Sequence, residues 1–132
     1  RRACLVDVGL FDERYVAYCE EADLALRARA RGWECGLLRG VMVENPHLSG
    51  TTAVVDYLQQ RNTLLLVHEH SGSYHAFIRF MTGLVQLVRG SFRPSRRPPV
   101  WHPRARIRAM IDFLRGVSGP PPAALSTERN PT

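Results

Sequence analysis

A chain of 132 residues, 45% hydrophobic and 23% charged, can bury one modest core and is too apolar to be read as an unfolded linker. Its net charge is +6, and all 18 basic residues are arginine, which favours planar, bidentate contacts with phosphate or carboxylate. Three cysteines (Cys4, Cys19, Cys35), an odd number with no CxxC spacing, suggest neither a disulfide framework nor a zinc site, so reduced thiols and a cytosolic setting are expected.

Residues 1–10 suit a short strand or helix that runs into a turn at Gly9. Phe11, Asp12 and Glu13 read as a cap, with Tyr15, Val16 and Tyr18 turned inward behind it. Residues 20–31 are rich in Ala, Leu and Arg, carry carboxylates in the first turn and stop at Gly32, which predicts a helix. Asp23 and Arg27 share a face at i,i+4 and should pair, and Trp33 should pack back on that helix. Residues 34–38 and 41–44 read as two short strands about Arg39 and Gly40. Asn45 and Pro46 end the second, and His47 begins a polar loop. Apolar spacing then predicts helices over 53–70 and 74–89. The second is apolar almost all round, which points to burial against a partner or to a membrane surface. No apolar run reaches the roughly 18 residues that a membrane span needs. Residues 91–103 form a Pro/Arg linker, 104–119 hold a basic amphipathic helix, and 120–132 read as a disordered tail.

Glu20 and Glu21 are the first groups that could do chemistry. Acids at a helix N-terminus are stabilised by the macrodipole, by roughly 0.3–1 kcal/mol each when exposed. The alternative is that one is a general base for a hydroxyl nucleophile. Neighbours at i,i+1 diverge on a helix, so one can face a pocket while the other orients or caps. His47 leaves a strand end, where an imidazole can hold a divalent metal or donate to a phosphate oxygen, or simply lie at the surface. His68 and His70, at i,i+2, share no helix face and read as structural or solvent-exposed. The Arg run from Arg93 to Arg108 could meet anionic lipid. With only Phe92 and Trp101 among it, it gives little support to nucleic-acid binding, and no nucleic-acid partner is expected.

Taken in order, Val8-Gly9-Leu10-Phe11-Asp12-Glu13, then Tyr18-Cys19-Glu20-Glu21-Ala22-Asp23-Leu24 with Arg27, then Arg31-Gly32-Trp33, His47-Leu48-Ser49, Arg61-Asn62 and the closing residues 109–116, resemble the second half of family-2 glycosyltransferases. The rhamnosyltransferase-like branch is the most similar. The resemblance implies the C-terminal portion of a GT-A fold, of α/β class, helix-rich with a short strand pair. It implies transfer of a sugar, with rhamnose one candidate, from a nucleotide-diphospho-sugar to a hydroxyl of a glycan or lipid-linked acceptor, with inversion. It places Glu21 at the base position with Glu20 before it, Tyr18, Cys19 and Arg61 on the substrate side, and His47 beside a divalent metal (Mg or Mn). Residues 1–90 would then be the acceptor and catalytic-base part, in the cytoplasm or peripheral on the inner face of the plasma membrane.

The chain departs from that pattern in having Glu rather than Asp at the base position and Cys19 where an aromatic often stands. Asp-x-Asp occurs nowhere, no Gly-rich phosphate loop opens the chain, and its first residue is Arg. The expectation is therefore a fragment that lacks the nucleotide-binding half and is inactive alone. The rival reading is a non-catalytic basic helical module that binds an anionic membrane or a protein partner.

Overall fold

The computed structural model describes residues 1–36, 39–42 and 51–126. The chain opens with α1 (Arg2–Val8), and α2 (Glu20–Ala30) lies against it. Glu20, Glu21 and Asp23 occupy the first turn of α2, with Arg27 and Arg29 in the last, so both ends complement the macrodipole. The helix stops as its sequence dictates. Gly32 takes φ +81°, the Gly32 amide bonds the Arg29 carbonyl, and the Trp33 amide bonds the Ala28 carbonyl, both at 3.0 Å. Arg27 then ties the two helices together, donating to the Val8 carbonyl and, at 2.8 Å, to the Leu10 carbonyl. The Trp33 indole donates to Asp7 of α1 at 2.8 Å, so its polar edge is tied to α1 and not only to the helix it follows.

The long element is α3 (Thr52–Phe92), started by Thr51, whose hydroxyl accepts from the Val54 amide at 3.3 Å. It breaks at Gly72, which takes φ +83°, a conformation that costs glycine little and other residues more. Two arms result, matching the two helices that the apolar spacing predicts. The second arm folds back on the first, bringing Gly83 against Gln60.

A 3-10 turn at Pro94–Arg96 leads to α4 (Pro103–Leu114), which packs along the first arm of α3. Ala105 and Ala109, fully buried, let the backbones approach, and they meet Ala53, Tyr57 and Leu58. Two carboxylates are buried in this seam. Asp56 is held by Arg106 at 2.8 Å through both Nε and Nη2, and by the His102 amide. Arg106 in turn lies 4.8 Å over the Trp101 ring. Asp112 accepts from the Tyr57 hydroxyl at 3.0 Å and from Arg108 at 2.8 Å. Each buried charge is thus paired and hydrogen-bonded, the condition under which burial is tolerated.

Two expectations need correction. The α/β class with a short strand pair does not hold: the described residues form five α-helices and no strand. Residues 34–36 and 39–42 are irregular or turn, while 37–38 and 43–44 lie outside the described residues. The physical reason is a missing partner. A lone strand pair is marginal in water without a third strand or a helix to cover its apolar face, and here Met42 is 97% exposed and Val41 63%. The described part of the tail is not disordered either. Residues Ala123–Ser126 form α5, whose Leu125 is buried against the α3–α4 core while its carbonyl accepts from Thr51 at 3.0 Å. The buried leucine and this hydrogen bond help dock the segment, and a Pro-rich composition hides both.

Candidate functional site

The turn that delivers Glu20 and Glu21 is built against its own preference. Val16, Tyr18 and Cys19 all have positive φ (65°, 68° and 74°). L-residues pay about 1–2 kcal/mol for that region, and a β-branched valine is especially unsuited to it. Such a turn persists only if the surroundings over-determine it, and α3 does this. The Asn62 side-chain amide, fully buried, lies 2.7 Å from the Tyr15 carbonyl, 2.7 Å from that of Ala17 and 2.9 Å from that of Tyr18. Arg61, also buried, donates to the Arg14 carbonyl at 3.2 Å, to the Tyr57 hydroxyl at 3.3 Å and to Asn62 at 3.0 Å. Tyr15 is fully buried, with its hydroxyl 3.4 Å from Glu69.

The two acids then diverge. Glu21 is exposed and lines a recess of about 700 Å³ between α1 and α2, with Arg1, Cys4, Phe11 and Trp33. Glu20 turns inward, and its Oε2 is buried without a hydrogen-bond partner. Cys19 starts α2 with a left-handed backbone and no side-chain cap. Burial pushes its thiol above the ordinary range, opposed by a 3.8 Å contact with Thr63. Tyr18 and Cys19 line a different recess, of about 320 Å³, toward the two arms of α3. Arg61 contributes to a third, of about 670 Å³, beside Phe113 and Phe80. The structure therefore places Glu21, the Tyr18–Cys19 pair and Arg61 on three concave faces around one turn. His47 lies outside the described residues.

Sequence reasoning missed the group that fixes α2 to the end of the first arm. Asp23, buried, accepts from Arg27 at 2.8 Å and stands 2.8 Å from His70 Nε2. Arg14 reaches Glu69 at 2.6 Å and Asp12 at 2.5 Å, which holds the Asp12 carboxyl below its ordinary value. Donor atoms of Asp23, Glu69 and His70 lie within 4.8 Å of one another. Two guanidiniums already engage both carboxylates, so this group is an ion-pair network that does not fit a divalent cation. The Asp23–Arg27 half was readable from spacing. Nothing in the spacing linked Asp23 to His70, 47 residues away.

Compared with family models, with curated proteins and with solved structures, the chain gives no match in any of the three.

Proposed function

We propose that this chain carries the acceptor side and catalytic base of an inverting glycosyltransferase. The observation that supports the reading most is the clamped turn. Three left-handed residues are held by buried Asn62 and Arg61 directly before a pair of acids, and strain stored at one point beside ionisable groups is a feature of working sites. The ordered motifs supply the reaction class. In this reading Glu21, exposed on a recess large enough for a sugar, takes the proton from the acceptor hydroxyl. Glu20 and the Asn62 clamp set the angle at which α2 begins. The donor is a nucleotide-diphospho-sugar and the acceptor a glycan or lipid-linked hydroxyl. The Mg or Mn that the motifs imply would be held by His47 and would offset charge on the leaving diphosphate.

The test is Glu21→Gln in the complete reading frame, assayed for sugar transfer and separately for donor binding. The reading requires transfer to fall by about 100-fold or more while donor affinity is kept. Unchanged turnover refutes it.

A second reading has its own observation. No helix among the described residues is long and apolar enough to cross a membrane. The second arm of α3 nevertheless leaves Tyr74 72%, Phe77 60% and Val85 53% exposed, followed by Phe92 at 82% and then Arg93, Arg96 and Arg97. An apolar face with arginines at its end suits peripheral contact with an anionic bilayer on the cytoplasmic side. Salt-sensitive sedimentation with anionic liposomes that is indifferent to Glu20 and Glu21 favours a binding module over an enzyme.

A further inference from the structure

The recess between the arms of α3 and the turn ending at Cys19 has an unusual wall. Among its lining residues are Gln60, Thr63, Arg79 and Arg106. Gln60 is 4% exposed, yet its Nε2 has no hydrogen-bond partner, and the buried Nη1 of Arg79 has none either. The two orphan nitrogens converge. They lie 2.5 Å and 3.7 Å from the point where a Gly83 Cβ would stand, so the absence of a side chain there keeps both in reach of one small group. A buried N–H left unmade is costly, and native structures rarely keep two together without an acceptor.

The charge around the recess has one sign in excess. The carboxylate of Asp56 is already taken by Arg106 and the His102 amide. Glu20 is not among the walls. Among the described residues Arg79 forms no ion pair, and burial together with repulsion from Arg106 pushes its guanidinium below the ordinary value. The thiol of Cys19 is kept neutral by burial. What the recess lacks is therefore an acceptor that carries negative charge. A guanidinium fork beside a carboxamide donor suits a tetrahedral oxyanion, and about 320 Å³ leaves room for what that group is attached to.

We propose that this recess binds a phosphoryl group, with Gln60 and Arg79 as its donors and Gly83 as the residue that keeps them accessible. The inference does not rest on the glycosyltransferase reading, since it uses neither Glu21 nor the motifs. The same chemistry can come from a soluble phosphate or from a lipid headgroup, and the experiment separates the two.

The full chain, labelled with ¹⁵N, is titrated with inorganic phosphate against chloride at matched ionic strength. A parallel series uses phosphatidylcholine vesicles with and without phosphatidate. The Gln60 side-chain amide and the Gly83 backbone amide are followed, and Arg79→Gln and Gly83→Ala are run alongside. A Cβ at Gly83 presses on the far end of the Gln60 side chain and touches Arg79 Nη1 at ordinary contact distance, and Arg79→Gln removes a half-buried charge, so both should melt at or above the parent temperature. Saturable shifts with phosphate, weakened about tenfold or more in both variants, support a soluble phosphoryl ligand. A response only to phosphatidate vesicles, with the same loss in the variants, supports a headgroup. No response to either, or a response that both variants retain, overturns the proposal.

Discussion

Replacing Asn62 by Ala tests the clamp on which the arrangement of the acids depends. The wild-type carboxamide has two N–H groups facing three carbonyls at 2.7–2.9 Å, and its oxygen accepts from Arg61 Nε at 3.0 Å. Truncation orphans at least two groups in a region from which water is excluded. At about 1.5 kcal/mol for each buried group left unmade, the loss is about 3 kcal/mol. With an unfolding entropy of about 2.1 cal/mol/K per residue, Tm should fall by roughly 10 °C, read by circular dichroism. Hydrogen exchange should accelerate first at Ala17 and Asp23, whose amides bond the Tyr15 and Cys19 carbonyls. Asn62→Asp sharpens the test. The introduced carboxylate faces three carbonyls and cannot donate, so at neutral pH this variant should be less stable than the Ala variant. Its carboxyl is favoured in the protonated form when folded, so its folded pKa lies above its unfolded value near 4. The penalty therefore grows as pH rises through the unfolded value and is relieved on acidification. An Ala variant within about 0.5 kcal/mol of the parent, with an Asp variant insensitive to pH, would refute the clamp.

Two glycines on α3 should respond with opposite sign to the same change. A Cβ at Gly83 meets the far end of the Gln60 side chain, which can turn aside, so Gly83→Ala should be neutral or stabilising by up to about 1 kcal/mol from helix propensity. A Cβ at Gly90 would lie 2.8 Å from two ring carbons of Trp101, itself wedged beneath Arg97 and Arg106, so Gly90→Ala should cost about 1–3 kcal/mol in urea denaturation. Alkylation with iodoacetamide, followed by mass spectrometry, should label exposed Cys35 well before Cys19, whose thiol is both partly buried and raised in pKa. Equal rates at the two would contradict the placement of Cys19 behind the turn. Tyr57→Phe removes the hydroxyl shared by Asp112 and Arg61 and should cost about 1–2 kcal/mol by the same urea assay, since Arg108 still holds Asp112.

What could be read from the residues was local. The acids at the start of α2, the Asp23–Arg27 pair and the stop at Gly32 are all set by groups within one or two turns, and all are present. Apolar spacing also located both arms of α3, although not the single residue, Gly72, at which they part. Among the described residues of 34–44 no strand forms, and two short apolar runs say nothing about whether a sheet exists to receive them. The polar groups that organise the site were hidden for a different reason. Asn62 reaches back 44–47 residues to its carbonyls, Tyr57 lies 55 residues from Asp112, and Asp56 lies 50 from Arg106. No periodicity encodes such pairings. The adjacency of Arg61 and Asn62 inside a helix was the one visible trace, and it marks the scaffold of the turn: Arg61 is buried against the backbone it supports.

The claim that a single carboxylate at Glu21 drives a direct displacement is tested most directly by the anomeric configuration of the transfer product. Proton NMR of the first turnover from a nucleotide-diphospho-sugar of known configuration gives the answer. With Glu21 acting as base for one direct attack from the face opposite the leaving diphosphate, the expected product is inverted. A product with retained configuration, or equal turnover when Glu21 is replaced by Gln, would contradict it.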